Sequence, residues 1–453
     1  MSKSAFTRVF QFIHQTLCEA SLNKLAVDTG YLQRSSKLRP DILIHLLSFS
    51  EEQTDKPSLQ DYCLWLKEHY GICVSKQALH QRLTHHTTAR FIEAVFCLAL
   101  SRLPMISSLS ARQLPDIKRI TVKDSTRFSL PDSCAMMFMG QGKSKGKRAQ
   151  VSIQYEYDLI SGQIITMLPS PATRNDQKDA KQTLDAIKPK DLVIRDLGYV
   201  SRAYMHEIDQ KGAFYINRLG TGCKLYDENG EEIDFHQVAQ SLEKSKTTYL
   251  EVEAFLCKNK PETKTRLIVS KTSEQVYQQR IRKLQQYNKH NGHQMRKETR
   301  VRYRLNILLT NLQKHKYTPA QVFDLYSLRW QIEIIFKSWK SHQRVHKYQS
   351  ANPNRIYCQL LSKLLNLLIH ENLYLLVNQC ITKAIPDKRC SRIKFIKRAR
   401  SHQRKLIQAV RSKKASEIKN WMMVFFDYNM NALAADIKRG TKGMNQILNE
   451  CLA

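Results

Sequence analysis

The chain has 453 residues, with 42% hydrophobic and 25% charged residues, which is typical of a soluble globular protein of about two to four domains. Lysine and arginine number 73 against 40 aspartates and glutamates, and a net charge of +33 favours nucleic acid as partner over a ribosomal association or an anionic membrane surface. Eleven scattered cysteines without a Cys-x-x-Cys pair exclude a zinc ribbon and a redox pair, so any metal must bind to oxygen ligands.

The N-terminal region, residues 1–108, is predicted to be a helical DNA-binding domain. Its first residues are too polar for a secretory signal, and with the dispersed cysteines this favours a cytoplasmic protein. Residues 58–69 predict an amphipathic helix, a turn follows at Gly71, and Ser75 is expected to cap a second helix. The polar side of that second helix carries Gln77, His80, Gln81 and Arg82. The pattern is typical of a helix-turn-helix reader of DNA, and an ordinary helical hairpin is the alternative.

From residue 118 the pattern changes to short β-type runs. The predicted elements are a strand at 119–124, strands at 150–158 and 163–168, a helix at 176–187, a strand at 191–196, a helix at 201–211 and a strand at 213–218. The first and fourth of these strands end in carboxylates, Asp124 and Asp196. Three strands joined by turns, followed by alternating helices and strands, predict an α/β fold with a ribonuclease-H-like core.

A β-rich insertion at 221–304 is predicted to interrupt this core. It contains strands at 249–256 and 266–270, a basic helix at 275–287 and a polar, basic stretch at 289–304 that is expected to be loose without DNA. A strand at 306–311 and a helix at 320–346 return the chain to the core, which thus spans 109–220 and 305–377.

The C-terminal region, residues 378–453, is predicted to be basic and helical. Just before it, the most apolar stretch, residues 360–377, includes Lys363, His370 and Glu371 and therefore predicts a buried helix and no membrane span.

The helix at 320–346 carries a polar stripe beside an apolar one. At about 100° per residue, Tyr326, Arg329, Glu333 and Lys340 fall within an arc of about 60°. The neighbouring apolar stripe comprises Leu325, Leu328, Ile332, Ile335, Phe336 and Trp339. The polar stripe could be a solvated face with an Arg329–Glu333 ion pair. Two strand-end aspartates and a glutamate are also what two-metal phosphoryl transfer needs, with Mg²⁺ or Mn²⁺ as the hard cation.

The spacing Tyr-x2-Arg-x3-Glu-x6-Lys resembles the signature of bacterial insertion-sequence transposases of the DDE type, the insertion sequence four family. Asp124 in VKDST and Asp196 in IRDLGY resemble the two catalytic aspartates of that family, and the similarity covers residues 118–375. The resemblance implies that Asp124, Asp196 and Glu333 are the catalytic, metal-binding residues. It also implies a ribonuclease-H-like core, phosphate contacts by Tyr326, Arg329 and Lys340, and a homodimer on paired transposon ends of double-stranded DNA.

Basic segments at 143–148, 279–304 and 394–405 are expected to add non-specific DNA affinity. The first contains Lys143, Lys145, Lys147 and Arg148. Members of the resembled family that cleave through a DNA hairpin carry a tryptophan in the insertion, which stacks on a flipped base. This insertion contains none, so a hairpin route would need another aromatic residue, such as Tyr249 or Phe255.

The leading hypothesis is a DNA transposase that cleaves transposon ends and joins them to target DNA at the bacterial nucleoid. The alternatives are a transposase-derived DNA-binding protein without cleavage activity and a non-transposing nuclease with the same core. We expect the carboxylates of Asp124, Asp196 and Glu333 to converge within about 4–8 Å.

Overall fold

The chain folds into two compact units, each assembled from segments far apart in the sequence. The first unit comprises residues 1–110, 125–174 and 333–441, and the second comprises 111–124, 175–332 and 442–453. The computed structural model describes residues 3–34, 36–50, 56–104, 106, 116–141, 148–220, 222–258, 260–292, 297–385, 388–412, 414–436, 442 and 444–451.

The N-terminal region is helical, as predicted. Its helices are α1 (Lys3–Leu17), α2 (Glu19–Asp28), α3 (Pro40–Phe49), α4 (Leu59–Tyr70), α5 (Lys76–Thr84) and α6 (His86–Ser101). Ser58 begins α4 with a capping box, and Gly71 ends it in the left-handed conformation at φ 66°. The Ser75 hydroxyl caps α5 by accepting a hydrogen bond from the Ala78 amide at 3.1 Å. Polar side chains thus fix the ends of both helices of the predicted helix-turn-helix.

The core contains three parallel strands with an antiparallel hairpin at one side. The elements are β1 (Arg119–Leu130), β2 (Ala149–Asp158), β3 (Ile164–Pro171), α7 (Asp176–Gln182), β4 (Asp191–Arg195), α8 (Arg202–Gln210) and β5 (Phe214–Arg218). β1 pairs with β4 and β4 with β5 in parallel, whereas β2 and β3 are antiparallel. The strand order β3-β2-β1-β4-β5 is that of the predicted ribonuclease-H-like core.

Strand β1 does not end at Asp124, contrary to the sequence prediction. It continues to Leu130, and Thr126, Phe128 and Leu130 are buried at alternate positions in this second half. That period of two is the burial pattern of a strand with one covered face. The sequence prediction ended at Asp124 because polar residues replace the apolar run there, although alternate positions beyond it are buried.

The insertion adds strands to the sheet. Its elements, with the strand that follows it, are α9 (Phe235–Ser245), β6 (Tyr249–Phe255), β7 (Lys264–Lys271), α10 (Glu274–Asn291), α11 (Lys297–Tyr303) and β8 (Leu305–Thr310). β8 is antiparallel to β5, and the order continues as β5-β8-β7-β6. Part of the stretch at 289–304 that was expected to be loose is helical, because α10 extends to Asn291 and α11 covers Lys297–Tyr303, whereas 293–296 lie outside the described residues.

The C-terminal part is helical, as predicted, with one short strand pair. Its elements are α12 (Pro319–Ser327), α13 (Trp330–Ser341), α14 (Pro353–Ala384), β9 (Lys388–Cys390), α15 (Arg392–Ser401), α16 (Gln403–Arg411), α17 (Ala415–Leu433), β10 (Ala434–Asp436) and α18 (Met444–Glu450). The single helix predicted at 320–346 is therefore two helices, α12 and α13. At the junction the Ser327 hydroxyl donates to the Asp324 carbonyl at 2.6 Å, and such side-chain competition bends helices.

Helix α14 is the central helix of the first unit. By length and composition it could cross a membrane, but 83% of its most apolar window is buried inside the protein. It packs against α3, α6 and α17, as expected of a core helix. The predicted apolar stripe of α12 and α13 is also buried, with Leu325, Ile332 and Trp339 at 0% exposure.

Candidate active site

Asp124 and Asp196 lie where two neighbouring parallel strands separate. β1 and β4 are in register from Arg119 opposite Asp191 to Lys123 opposite Arg195, which is their last pair. Asp124 and Asp196 are therefore the first residues beyond the paired part of the two strands. The side chain of Asp124 is 20% exposed and that of Asp196 is 45% exposed, so both are accessible to a ligand.

Both carboxylates face the guanidinium of Arg329. An Nη of Arg329 lies 3.5 Å from Oδ2 of Asp124, and its Nε lies 4.0 Å from Oδ1 of Asp196. A positive group thus stands between two carboxylates that are 72 residues apart in sequence. Both aspartates present carboxylate oxygens to the same positively charged group. Carboxylate oxygens are also the ligands that Mg²⁺ and Mn²⁺ prefer.

Tyr326 lies beside Arg329. Its phenol is largely buried, and this burial raises the pKa of Tyr326 to about 12, while the positive charge of Arg329 acts in the opposite direction. Asp196 and Arg218 are among its charged neighbours. The phenol therefore remains protonated at neutral pH and is available as a hydrogen-bond donor.

Glu333 occupies the first turn of α13 and is partly exposed. The boundary between the two units falls between Ile332 and Glu333. Across the described part of the chain, no group of three or more His, Cys, Asp or Glu side chains is arranged to hold a metal ion. The two aspartates at Arg329 are the part of the predicted triad that the second unit brings together.

Lys340 lies near the end of α13, within the first unit. Its ammonium donates a hydrogen bond to the Arg127 carbonyl of β1 at 3.0 Å, and burial lowers the pKa of Lys340. Next to it, Trp339 packs edge-on against Tyr155 of β2, with ring centroids 4.9 Å apart. This packing fixes the last turns of α13.

The basic segment at 143–148 is only partly described. Lys143, Lys145 and Lys147 lie outside the described residues, whereas Arg148 is exposed. The carbonyl of Arg148 accepts a hydrogen bond from the Gly140 amide at 2.8 Å, which leaves its side chain at the surface.

The sequence interpretation missed a group of buried charges directly before the two aspartates. Lys123 and Arg195 are each at most 1% exposed, and Lys123 pairs with Asp179 of α7. The sequence signal was the cation that ends each apolar run, Lys123 or Arg195, immediately before the carboxylate.

Residues 115–369 match the family described as Transposase DDE domain. The transposase for insertion sequence element IS231B of Bacillus thuringiensis subsp. berliner is 30% identical over 79% of each chain. The IS231C transposase of the same organism is 29% identical over 88% of this chain and 86% of its own. A solved piggyBac transposase synaptic complex with hairpin DNA has 9% identity and a TM-score of 0.47, covering 97% of this chain and 87% of that one.

Proposed function

The chain belongs to the DDE transposase family, and from this membership we propose that it cleaves transposon ends and joins them to target DNA with Asp124, Asp196 and Glu333 as its catalytic carboxylates. DDE transposases are metal-dependent enzymes of DNA phosphoryl transfer. The proposed ions are Mg²⁺ or Mn²⁺, because all three side chains offer hard oxygen donors.

The residue assignment rests on one observation: the Arg329 guanidinium lies between the carboxylates of Asp124 and Asp196. Two carboxylates at the parting of parallel strands repel each other unless a positive group lies between them, and Arg329 supplies one. Bound divalent ions would supply charge stabilisation at the attacking and leaving oxygens of the scissile phosphate. Glu333, one helical turn beyond Arg329 in sequence, is the proposed third ligand.

The proposed phosphate-binding residues are Tyr326, Arg329 and Lys340. The Arg329 guanidinium lies between the two aspartates, at 3.5 and 4.0 Å, and its planar N–H donors match two oxygens of a phosphate. Lys340 uses one of its three N–H donors on the Arg127 carbonyl, which orients the ammonium and leaves further donors for DNA. Tyr326 would donate its phenolic proton to a phosphate oxygen.

DNA recognition is proposed to reside in α4 and α5. Lys76, Gln77, His80 and Gln81 of α5 are exposed, while Leu79 and Leu83 anchor the helix in the core. Arg82, predicted to share the polar side, instead turns inward: its guanidinium lies over the Tyr31 ring at 4.8 Å and donates to the Ser36 hydroxyl at 3.0 Å. The base-reading set is therefore smaller than the sequence indicated.

The assembly is proposed to be a homodimer that holds two double-stranded transposon ends, acting at the nucleoid in the bacterial cytoplasm. Paired ends require two active sites, and the net charge of +33 suits a protein that gathers several DNA segments.

The test replaces each proposed metal ligand by its neutral isostere: Asp124→Asn, Asp196→Asn and Glu333→Gln. Each change keeps the shape and removes a ligand charge, so cleavage of end DNA in Mg²⁺ should be abolished while gel-shift binding of the same DNA persists. The end DNA is defined by the inverted repeats that flank the gene. Wild-type cleavage by any one variant would remove that residue from the assignment.

A further inference from the structure

Lys123 is a fully buried cation next to the first proposed metal ligand. Its side chain forms an ion pair with Asp179 of α7, and both side chains are 0% exposed. Its ammonium also donates to the Thr183 hydroxyl at 2.7 Å. A buried charge is costly unless it keeps its partners, so Lys123 ties the start of α7 and the residue after α7 to β1.

The same ammonium faces the turn that follows Asp196. It lies 5.9 Å from the centre of the Tyr199 ring, which is 1% exposed. The Tyr199 amide donates to the Asp196 carbonyl at 3.1 Å and closes that turn. Helix α7 packs closely on the turn, since a Cβ on Gly198 would lie 3.1 Å from Oδ2 of Asp176. One side chain thus contacts both α7 and the segment that carries Asp196.

Lys123 lies where the backbone pairing between β1 and β4 ends. Lys123 and Arg195 form the last pair of the β1–β4 ladder, and backbone hydrogen bonds no longer hold Asp124 and Asp196 together beyond it. Arg195 holds β4 to β1 at this level by donating to the Thr121 carbonyl at 2.8 Å. Side chains, and not the sheet, therefore determine how far the two strands diverge at the aspartates.

We propose that the Lys123–Asp179 ion pair is a positioning pair that sets the separation of the Asp124 and Asp196 carboxylates and thereby the affinity of the site for a divalent metal. The proposal rests on the assignment of both aspartates as metal ligands. Stability alone does not account for the pair, because buried ion pairs are commonly no more stabilising than apolar residues of similar volume. Lys123 and Asp124 are successive residues of β1, so their side chains lie on opposite faces of the sheet, and Lys123 acts through the position of Asp124.

The test measures Mn²⁺ binding to the full chain by the loss of the free Mn²⁺ signal in electron paramagnetic resonance. The variants are Asp179→Asn and the double variant Lys123→Met with Asp179→Leu. Both should raise the Mn²⁺ dissociation constant about tenfold or more, the usual effect of losing an outer-sphere partner. The double variant leaves no unpaired buried charge and should unfold thermally near the wild-type temperature.

The matched control is the ion pair at the other end of the same strands, Arg119 with Asp191. Nε of Arg119 donates to Oδ1 of Asp191 at 2.8 Å, four residues before Lys123 and thus about 13 Å from it along the strand. Replacement of this pair by Met and Leu also removes the Arg119 bond to the Ala186 carbonyl and the Lys188 amide bond to Asp191, so it should lower thermal stability, yet leave the Mn²⁺ dissociation constant unchanged.

Two results would overturn the proposal: wild-type Mn²⁺ affinity in the Lys123→Met, Asp179→Leu variant, or equal losses of affinity in this variant and the control. If Asp179→Asn fails to fold, the double variant decides. Asp124→Asn separates this proposal from the assignment on which it rests. Wild-type Mn²⁺ binding by Asp124→Asn would show that the aspartates are not ligands, whereas its loss together with intact binding in the double variant would reject only the positioning role.

Discussion

Arg329 is the residue whose surroundings are most informative about the site. Its two contacts with Asp124 and Asp196, at 3.5 and 4.0 Å, lie at the outer limit of ion pairing. Its side chain is only 16% exposed, so protein packing keeps the guanidinium near both carboxylates. A guanidinium that packing holds near both carboxylates can also present its N–H donors to a phosphate.

At the residue scale we predict that Arg329→Ala and Lys340→Ala each reduce DNA cleavage by about 10²-fold or more, because a phosphate misplaced by about 1 Å is enough for such a loss. Folding should remain largely intact, since removing a single hydrogen bond or ion pair costs about 1 kcal/mol. The measurement is the single-turnover cleavage rate on end DNA, with thermal unfolding measured in parallel.

The matched control is Lys337→Ala, which removes an exposed cation from α13, the helix that carries Lys340 and begins directly after Arg329. It should leave the cleavage rate near that of the wild type. Equal losses in all three variants would mean that the general charge of α13, and not phosphate positioning, determines the rate. Wild-type cleavage by both Arg329→Ala and Lys340→Ala would return these residues to a purely structural role.

At the scale of secondary-structure elements, α5 is held from one side and free on the other. The Thr84 carbonyl at its end accepts a hydrogen bond from the Asn354 amide of α14 at 2.9 Å, and Leu83 is fully buried. Its opposite side presents Gln77 and Gln81 to solvent. A helix fixed in this way can enter a major groove as a rigid element, and glutamine amides can pair with adenine edges there.

For this element we predict that Gln77→Ala combined with Gln81→Ala lowers the ratio of transposon-end to random-DNA affinity about 30-fold or more, since each of the two base contacts contributes about 1–3 kcal/mol. Binding to random DNA should be unchanged, because phosphate contacts carry that affinity. Competition gel shifts with both DNAs give the ratio. Gln11→Ala, an exposed change on α1, is the control, and an unaltered ratio in the double variant would place the reader elsewhere.

At the scale of the whole molecule, some basic residues bond within the protein and others are exposed to solvent. Some arginines of the insertion are structural: Arg302 donates to the carbonyls of Gly220 and Cys223 at 3.2 and 3.1 Å, and Arg280 donates to the Asn306 side chain at 2.7 Å. Burial lowers the pKa of both guanidinium groups. On α15, by contrast, Lys397 and Arg398 are exposed. The net charge therefore overstates the number of cations available to DNA.

We accordingly predict opposite effects for the two classes. Lys397→Ala and Arg398→Ala should each make the negative slope of log affinity against log salt for random DNA less steep by about 0.9, while stability is preserved. Arg280→Ala and Arg302→Ala should lower the thermal unfolding temperature and leave the slope unchanged. Salt titrations followed by fluorescence anisotropy measure the slopes. A slope reduced only by the insertion variants would reverse this division.

The sequence alone determined the strand and helix order, the two conspicuous aspartates and the buried apolar stripe of α12 and α13. These features depend on local periodicity and on residue spacing along one chain, which are readable without partners. Strand and helix boundaries were mostly within a few residues. The errors at Asp124 and within 289–304 arose where polar residues interrupt an apolar pattern without ending the element. The break after Ser327 was missed because the apolar stripe continues across it.

Only the tertiary structure decided which charges are used internally and which remain available. The sequence does not distinguish Arg82 and Arg302 from arginines that could bind DNA, yet each contacts an aromatic ring within the protein. Lys123 meets Asp179 across 56 residues, and Asp124 meets Arg329 across 205. Such pairings depend on how strands and helices pack, because the low local dielectric of the packed interior selects the partners of each charge. Periodicity along the chain does not show which partner each charged residue has.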